Sequence, residues 1–157
     1  MESIIETSLS RLLGKEDTLP KLLLRNYKKY GDKKVAIREK DFGIWQSYTW
    51  KDYYELVKHF SLGLISLGLE AGDKVSVLGE NKPEWYIAEL AAQAACASAV
   101  GIPSDCTPPE VKYYVVDSES TFVVTEDQEQ TDKLLEIQSE IPLAKKVIYP
   151  SSTSRWR

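Results

Sequence analysis

The densest run of chemically capable side chains is Gly79-Glu80-Asn81-Lys82-Pro83-Glu84-Trp85. Two carboxyls, an amide, an ammonium and an indole lie close enough to line a polar pocket. The same run also reads as a helix start. Gly79 permits a sharp exit from a strand. Asn81 is a good N-cap, Glu84 could complete a capping box with it, and Pro83 suits the first turn. A well-capped helix start that fixes the fold accounts for the run with less chemistry than a pocket wall does.

The remaining reactive types do not converge. Glu126-Asp127, and Asp52 with Glu55, sit where helices should begin, and there the macrodipole favours negative charge. His59 is the only histidine, in a helical pattern between Lys58 and Phe60. It reads as an exposed or satisfied helix residue, not as a base or ligand. Cys96 falls in an alanine-rich helical pattern and Cys106 in a loop. Two cysteines are too few for a disulfide framework, so both are expected as reduced thiols in a cytoplasmic protein. Too few ligands remain for a metal site. Trp50, Tyr53, Tyr54, Trp85, Tyr86, Tyr113 and Tyr114 could stack bases, but no basic groove accompanies them. The lysine pairs at 28–29, 33–34 and 145–146 are short, and the net charge is −4, so nucleic acid is not an expected partner. No Gly-x-Gly-x-x-Gly, Gly-x-x-x-x-Gly-Lys-Ser/Thr or Gly-x-Ser-x-Gly occurs.

The elements that must position these residues follow from periodicity. Asp17 or Thr18 can cap a helix from Leu19 to Tyr30, stopped by Gly31. Val35–Arg38 and Ile44–Tyr48 read as a hairpin around Asp41-Phe42-Gly43. Thr49 with Asp52 forms a capping box, and a helix runs on to Gly68. Lys74–Leu78 is a strand. A helix follows from the Asn81 region to about Ala99, its many alanines allowing it to lie close to a sheet. Val100–Ile102 is a short strand. Thr107 and Glu110 repeat the capping pattern for a helix to about Val116. Thr121–Thr125 is a strand, Asp127–Ile137 a polar helix, and Lys146–Tyr149 the last strand.

This alternation predicts an α/β fold: a mostly parallel sheet with helices on both faces, plus an N-terminal β-hairpin. Apolar residues make up 43% and charged residues 28%, a normal globular balance. Residues 1–16 form an N-terminal segment without the basic start and long apolar run of a secretory signal. Residues 17–149 form an incomplete subdomain, and residues 150–157 an unstructured tail. The stretch Ala88–Ile102 is too short and too interrupted to span a bilayer. Peripheral membrane association stays open.

Five stretches, in order, carry a resemblance. They are Tyr48-Thr49-Trp50 with the helix to Leu67-Gly68-Leu69; Gly72-Asp73-Lys74-Val75; Gly79 to Ala91 with its Asn81-x-Pro83-Glu84-Trp85 core; Ala99-Val100-Gly101-Ile102 with Thr107-Pro108-Pro109-Glu110-Val111; and Val123 to Leu135. Together they resemble the opening region of the AMP-forming acyl-CoA synthetases, in particular the long-chain fatty-acid–CoA ligases of the adenylate-forming superfamily. The likeness runs from about Asp17 to Tyr149 and is lost from Ser151. Pro103-Ser104-Asp105-Cys106 departs from the family's commoner stretch.

The resemblance implies a two-step reaction in the complete enzyme. Fatty acid and ATP give an acyl-adenylate and pyrophosphate; coenzyme A then gives acyl-CoA and AMP. ATP, Mg2+ and CoA are thereby implied for that enzyme, and none is assigned to this chain. The family's phosphate-binding loop, adenine and magnesium motifs and C-terminal catalytic lysine have no match here. No catalytic, cofactor-binding or metal residue is therefore transferred. The expectation is a fragment or truncated member, inactive alone. The alternatives are a non-catalytic module that pairs with a full-length synthetase, oligomerising through exposed apolar faces, and an independent nucleotide-binding domain.

Overall fold

A computed structural model describes residues 17–149, with the side chain of Asp41 excepted. The expectations for residues 1–16 and 150–157 lie outside the described residues.

Helix α1 spans Leu19–Tyr30. Strands β1 (Val35–Asp41) and β2 (Ile44–Thr49) pair antiparallel, with a register shift between Val35 and Ile37. Helix α2 (Trp50–Ser66) starts with the expected capping box: the Asp52 N–H donates to Thr49 Oγ1 at 3.1 Å, and the Thr49 N–H donates to the Asp52 carboxylate at 2.8 Å. Then β3 (Lys74–Leu78), α3 (Pro83–Ala94), β4 (Ser98–Ile102), α4 (Pro108–Asp117), β5 (Phe122–Thr125), α5 (Gln128–Glu136) and β6 (Lys146–Ile148) alternate. The four later strands form one parallel sheet in the order β4-β3-β5-β6.

Strand alternation splits the core between the two faces of that sheet. Val75, Val77, Phe122 and Val124 face a cluster built with α1, α2 and α3 through Leu23, Val57, Leu64, Ile87 and Ala91. Leu78, Ile102 and Val123 face the other way, onto Val111 and Val115 of α4 and Leu134 of α5. On this second face Ser76 and Ser120 share a buried hydrogen bond of 2.8 Å, and so do Thr125 and Thr131. These pairings satisfy hydroxyls that burial would otherwise leave costly.

Two helix boundaries differ from expectation. Helix α3 ends at Ala94, not near Ala99, because Cys96 turns the chain at φ +61°. The Ala97 N–H reaches Ala92 O at 3.0 Å and the Cys96 N–H reaches Gln93 O at 3.1 Å, which is a Schellman motif. Cys96 is therefore an exposed cap residue; Ala97 closes the motif and Ala99 lies in β4. At the other end Lys82, not Asn81, is the N-cap of α3, and no side chain caps it. Pro83 takes the first helical position, so the helix begins one residue later and Glu84 cannot close a box with Asn81.

Candidate functional site

The sheet order locates the crevice. From central β3 the chain passes through α3 to β4 on one side. From β5 it passes through α5 to β6 on the other, with α3 and α5 on opposite faces. Open parallel sheets take ligands outside the carboxyl ends of their strands at such a reversal. Here the facing loops are Gly79–Lys82 after β3 and Glu126–Asp127 after β5.

Glu126 fills that crevice. Its N–H donates to Leu78 O at 3.0 Å, extending the ladder by one residue. Its carboxylate accepts from the Glu80 N–H at 2.6 Å and from Lys82 Nζ, and its side chain is only 13% exposed. Gly79 makes this approach possible: a Cβ there would lie 2.7 Å from Glu126 Cβ and 2.9 Å from Oε2. The space left between Val77, Thr125, Lys82, Glu84 and Trp85 is about 20 Å³, room for one water.

The charge around the crevice is mostly negative. Lys82 is held above the usual lysine range, first by its hydrogen bond to Glu126 and then by the charges of Glu126, Glu80 and Glu39. Glu84 is half-buried, and that burial pushes its carboxyl up, with Glu39 and Glu126 adding to the shift. The single ammonium here is already paired.

A second opening of about 470 Å³ lies at the ends of β3 and β4, lined by Gly79, Glu80, Asn81, Trp85, Gly101, Ile102, Pro103, Ser104 and Asp105. Its shape depends on Gly101, where a Cβ would stand 2.8 Å from Trp85 Cζ2. The indole thus lies against bare backbone of β4. This lining carries two carboxylates, Glu80 and Asp105, and no cation. Beside it Lys133 Nζ donates to Ser104 O at 2.7 Å and pins the loop that departs from the family pattern.

The other residues considered from sequence stand apart. His59 lies exposed on α2, 3.8 Å from Glu55. Cys106 sits beside Glu110 and Asp105, and burial pushes its thiol up, suppressing the thiolate that a nucleophile needs. Of the Glu126-Asp127 pair, only Asp127 serves as a helix-start charge, accepting from the Gln130 N–H at 3.0 Å. The role of Glu126 was missed; the signal for it was a glycine ending a strand that faces an acid ending the neighbouring strand. Among the described residues no group of three or more His, Cys, Asp or Glu is placed to hold a metal.

The AMP-binding enzyme family profile matches residues 23–156. This chain belongs to the AMP-binding enzyme family. The match continues past Tyr149 to Trp156, into the stretch from Ser151 where the five motif stretches carry no resemblance. A long-chain-fatty-acid–CoA ligase of Xenopus laevis, ACSBG2, is 35% identical over 131 residues, covering 83% of this chain and 18% of that protein. The ligase heimdall of Drosophila melanogaster is 31% identical over 134 residues, covering 83% and 20%. The chain thus spans about a fifth of the length of these curated relatives. Among solved structures, an anthranilate CoA ligase with bound anthranoyl-AMP superposes with a TM-score of 0.77 at 21% identity, covering 87% of this chain and 25% of that one. The inhibitor-bound N-terminal domain of FACL13 from Mycobacterium tuberculosis gives 0.76 at 20%, covering 88% and 36%. The fold is that of part of an AMP-binding ligase N-terminal domain.

Proposed function

We propose that residues 17–149 serve as scaffold and substrate-domain wall of a long-chain fatty-acid–CoA ligase, and that the chain alone does not adenylate a fatty acid. In the complete enzyme ATP, Mg2+, CoA and a fatty acid would be the reactants. The observation that carries the reading is the filled crevice: the position where such sheets take anions holds Glu126, and the neighbouring cleft is lined by carboxylates. The two free cysteines suit a reducing, cytoplasmic setting. No helix among the described residues is long and apolar enough to cross a membrane.

The test is pyrophosphate release from the 157-residue chain with ATP, Mg2+ and palmitate. Release at the level of a heat-killed control is expected, and turnover above it would overturn the reading.

The alternative, a non-catalytic module that pairs with a full-length synthetase, draws on one observation. Tyr113, Val116, Leu135 and Leu143 are exposed on the α4–α5 side of the sheet. Light scattering separates it, since a monomer that resists concentration and an added synthetase would exclude pairing.

A further inference from the structure

The β1–β2 hairpin carries chemistry that neither the core nor the crevice uses. Its two-residue turn is Phe42-Gly43, with φ of +45° and +82°. Two left-handed central residues make a type I′ turn, which favours Asn, Asp or Gly at both places. A bulky phenylalanine there is a backbone outlier. Packing within the chain does not compensate, because Phe42 is 95% exposed. Ile44 and Trp45 beside it are 66% and 64% exposed.

Register sorts the charges on this hairpin. Lys40 pairs with Trp45 and Arg38 with Ser47, so these four share one face, and all four are exposed. Ile37, Glu39, Gln46 and Tyr48 share the other face and are half-buried. The outer face therefore holds two cations and an indole with no acid, on a chain of net charge −4. Neither cation has an ion-pair partner among the described residues.

We propose that the tip and outer face of this hairpin dock on an anionic lipid bilayer. Phe42 would enter the acyl boundary, Trp45 would sit at headgroup level, and Arg38 and Lys40 would meet lipid phosphates and carboxylates. Size argues for a bilayer over a protein partner. Three such side chains bury roughly 500 Å², short of the ~800 Å² per side of a standard protein interface. A bilayer imposes no such minimum. The surface does not depend on the ligase reading, because binding is measured without ATP or coenzyme A.

The experiment is co-sedimentation of the 157-residue chain with phosphatidylcholine vesicles, with and without phosphatidylserine. Pelleting with the anionic vesicles is expected. Phe42→Asn should lower partitioning about tenfold or more. Its thermal midpoint should hold or rise, because asparagine suits a left-handed turn. Trp45→Thr, at an exposed strand position, is the second variant should Phe42→Asn fold poorly. Arg38→Gln and Lys40→Gln should each lower partitioning about fivefold, and only on vesicles containing phosphatidylserine. Undiminished pelleting of Phe42→Asn and Trp45→Thr, or no pelleting of the parent chain, would overturn the proposal. So would a Phe42-dependent dimer in light scattering without vesicle binding, which would assign the tip to a second copy.

Discussion

Replacing Gly79 by alanine tests whether the crevice is held by the Glu126 contact. The new Cβ would stand 2.7 Å from Glu126 Cβ and 2.9 Å from Oε2. Carbon atoms at rest sit about 3.5–4.0 Å apart, so the two loops must separate by nearly 1 Å or Glu126 must swing out. Overpacking of this kind costs about 1–3 kcal/mol. Swinging out also removes the hydrogen bonds from the Glu80 N–H and Lys82 Nζ. These are charge-assisted but solvent-accessible at the lysine end, worth about 1–2 kcal/mol together. Gly79→Ala should therefore lose about 2–5 kcal/mol. Glu126→Ala alone keeps its Cβ and loses only the carboxylate, about 1–2 kcal/mol. Because the nearest contact is Cβ to Cβ, alanine at 126 relieves Gly79→Ala only partly, whereas glycine at 126 relieves it fully. Gly79 has no positive φ. In the Glu126→Gly background, then, Gly79→Ala should be neutral or stabilising by about 0.5 kcal/mol, through the unfolded-chain entropy of glycine. Urea denaturation of the parent, the Gly79→Ala and Glu126→Gly single variants and their double variant, followed by far-UV circular dichroism, measures this reversal. An equal loss from Gly79→Ala in both backgrounds would refute the reasoning.

Two further substitutions test other parts of the structure. The caps after Leu67, Ala95 and Ser118 place Gly68, Cys96 and Glu119 in positive φ with the same pair of return hydrogen bonds, so only the first has the residue the motif favours. Cys96→Gly should therefore stabilise by about 0.5–1 kcal/mol, read as a rise of about 1–4 °C in thermal midpoint, and a fall would count against the strain at Cys96. For Glu84, burial raises the folded pKa above the unfolded value. The folded state then holds the extra proton, and stability falls as pH climbs from the ordinary glutamate range through the raised value. Glu84→Gln should raise the midpoint at pH 7 and lose that advantage near pH 4; a constant difference across the range would refute the burial argument.

Sequence made the layering legible because burial and period agree locally. Val75, Val77, Phe122 and Val124 alternate with Ser76, Leu78 and Val123, and each set meets helices on its own side. The Thr49–Asp52 and Thr107–Glu110 boxes were legible because their partners are three residues apart. The end of α3 was not, because alanine propensity carries the helical pattern through Ala97 and Ala99 while a left-handed cysteine carries no composition signal. The crevice was not legible either. Glu126 and Gly79 are separated by 47 positions in sequence, and only the β3–β5 pairing brings their loops together. The strain at Phe42 was hidden for a related reason: the turn was legible, but its left-handed type at the phenylalanine was not.

The Glu126 contact also sets the competition that an incoming anion meets in this part of the fold. An anion arriving at the switch point meets donors, the Glu80 N–H and Lys82 Nζ, already engaged by a carboxylate on the same chain. That carboxylate is present at an effective concentration set by its tether, millimolar even for a loose linkage and far higher for one held in place. A free phosphate at cellular concentration would have to displace it and then tolerate Glu80, Glu84 and Glu39 nearby. The loop geometry that serves other open sheets as an anion cradle is spent here on joining β3 to β5. The fold keeps the crevice and its donors, and Glu126 turns them into an internal brace.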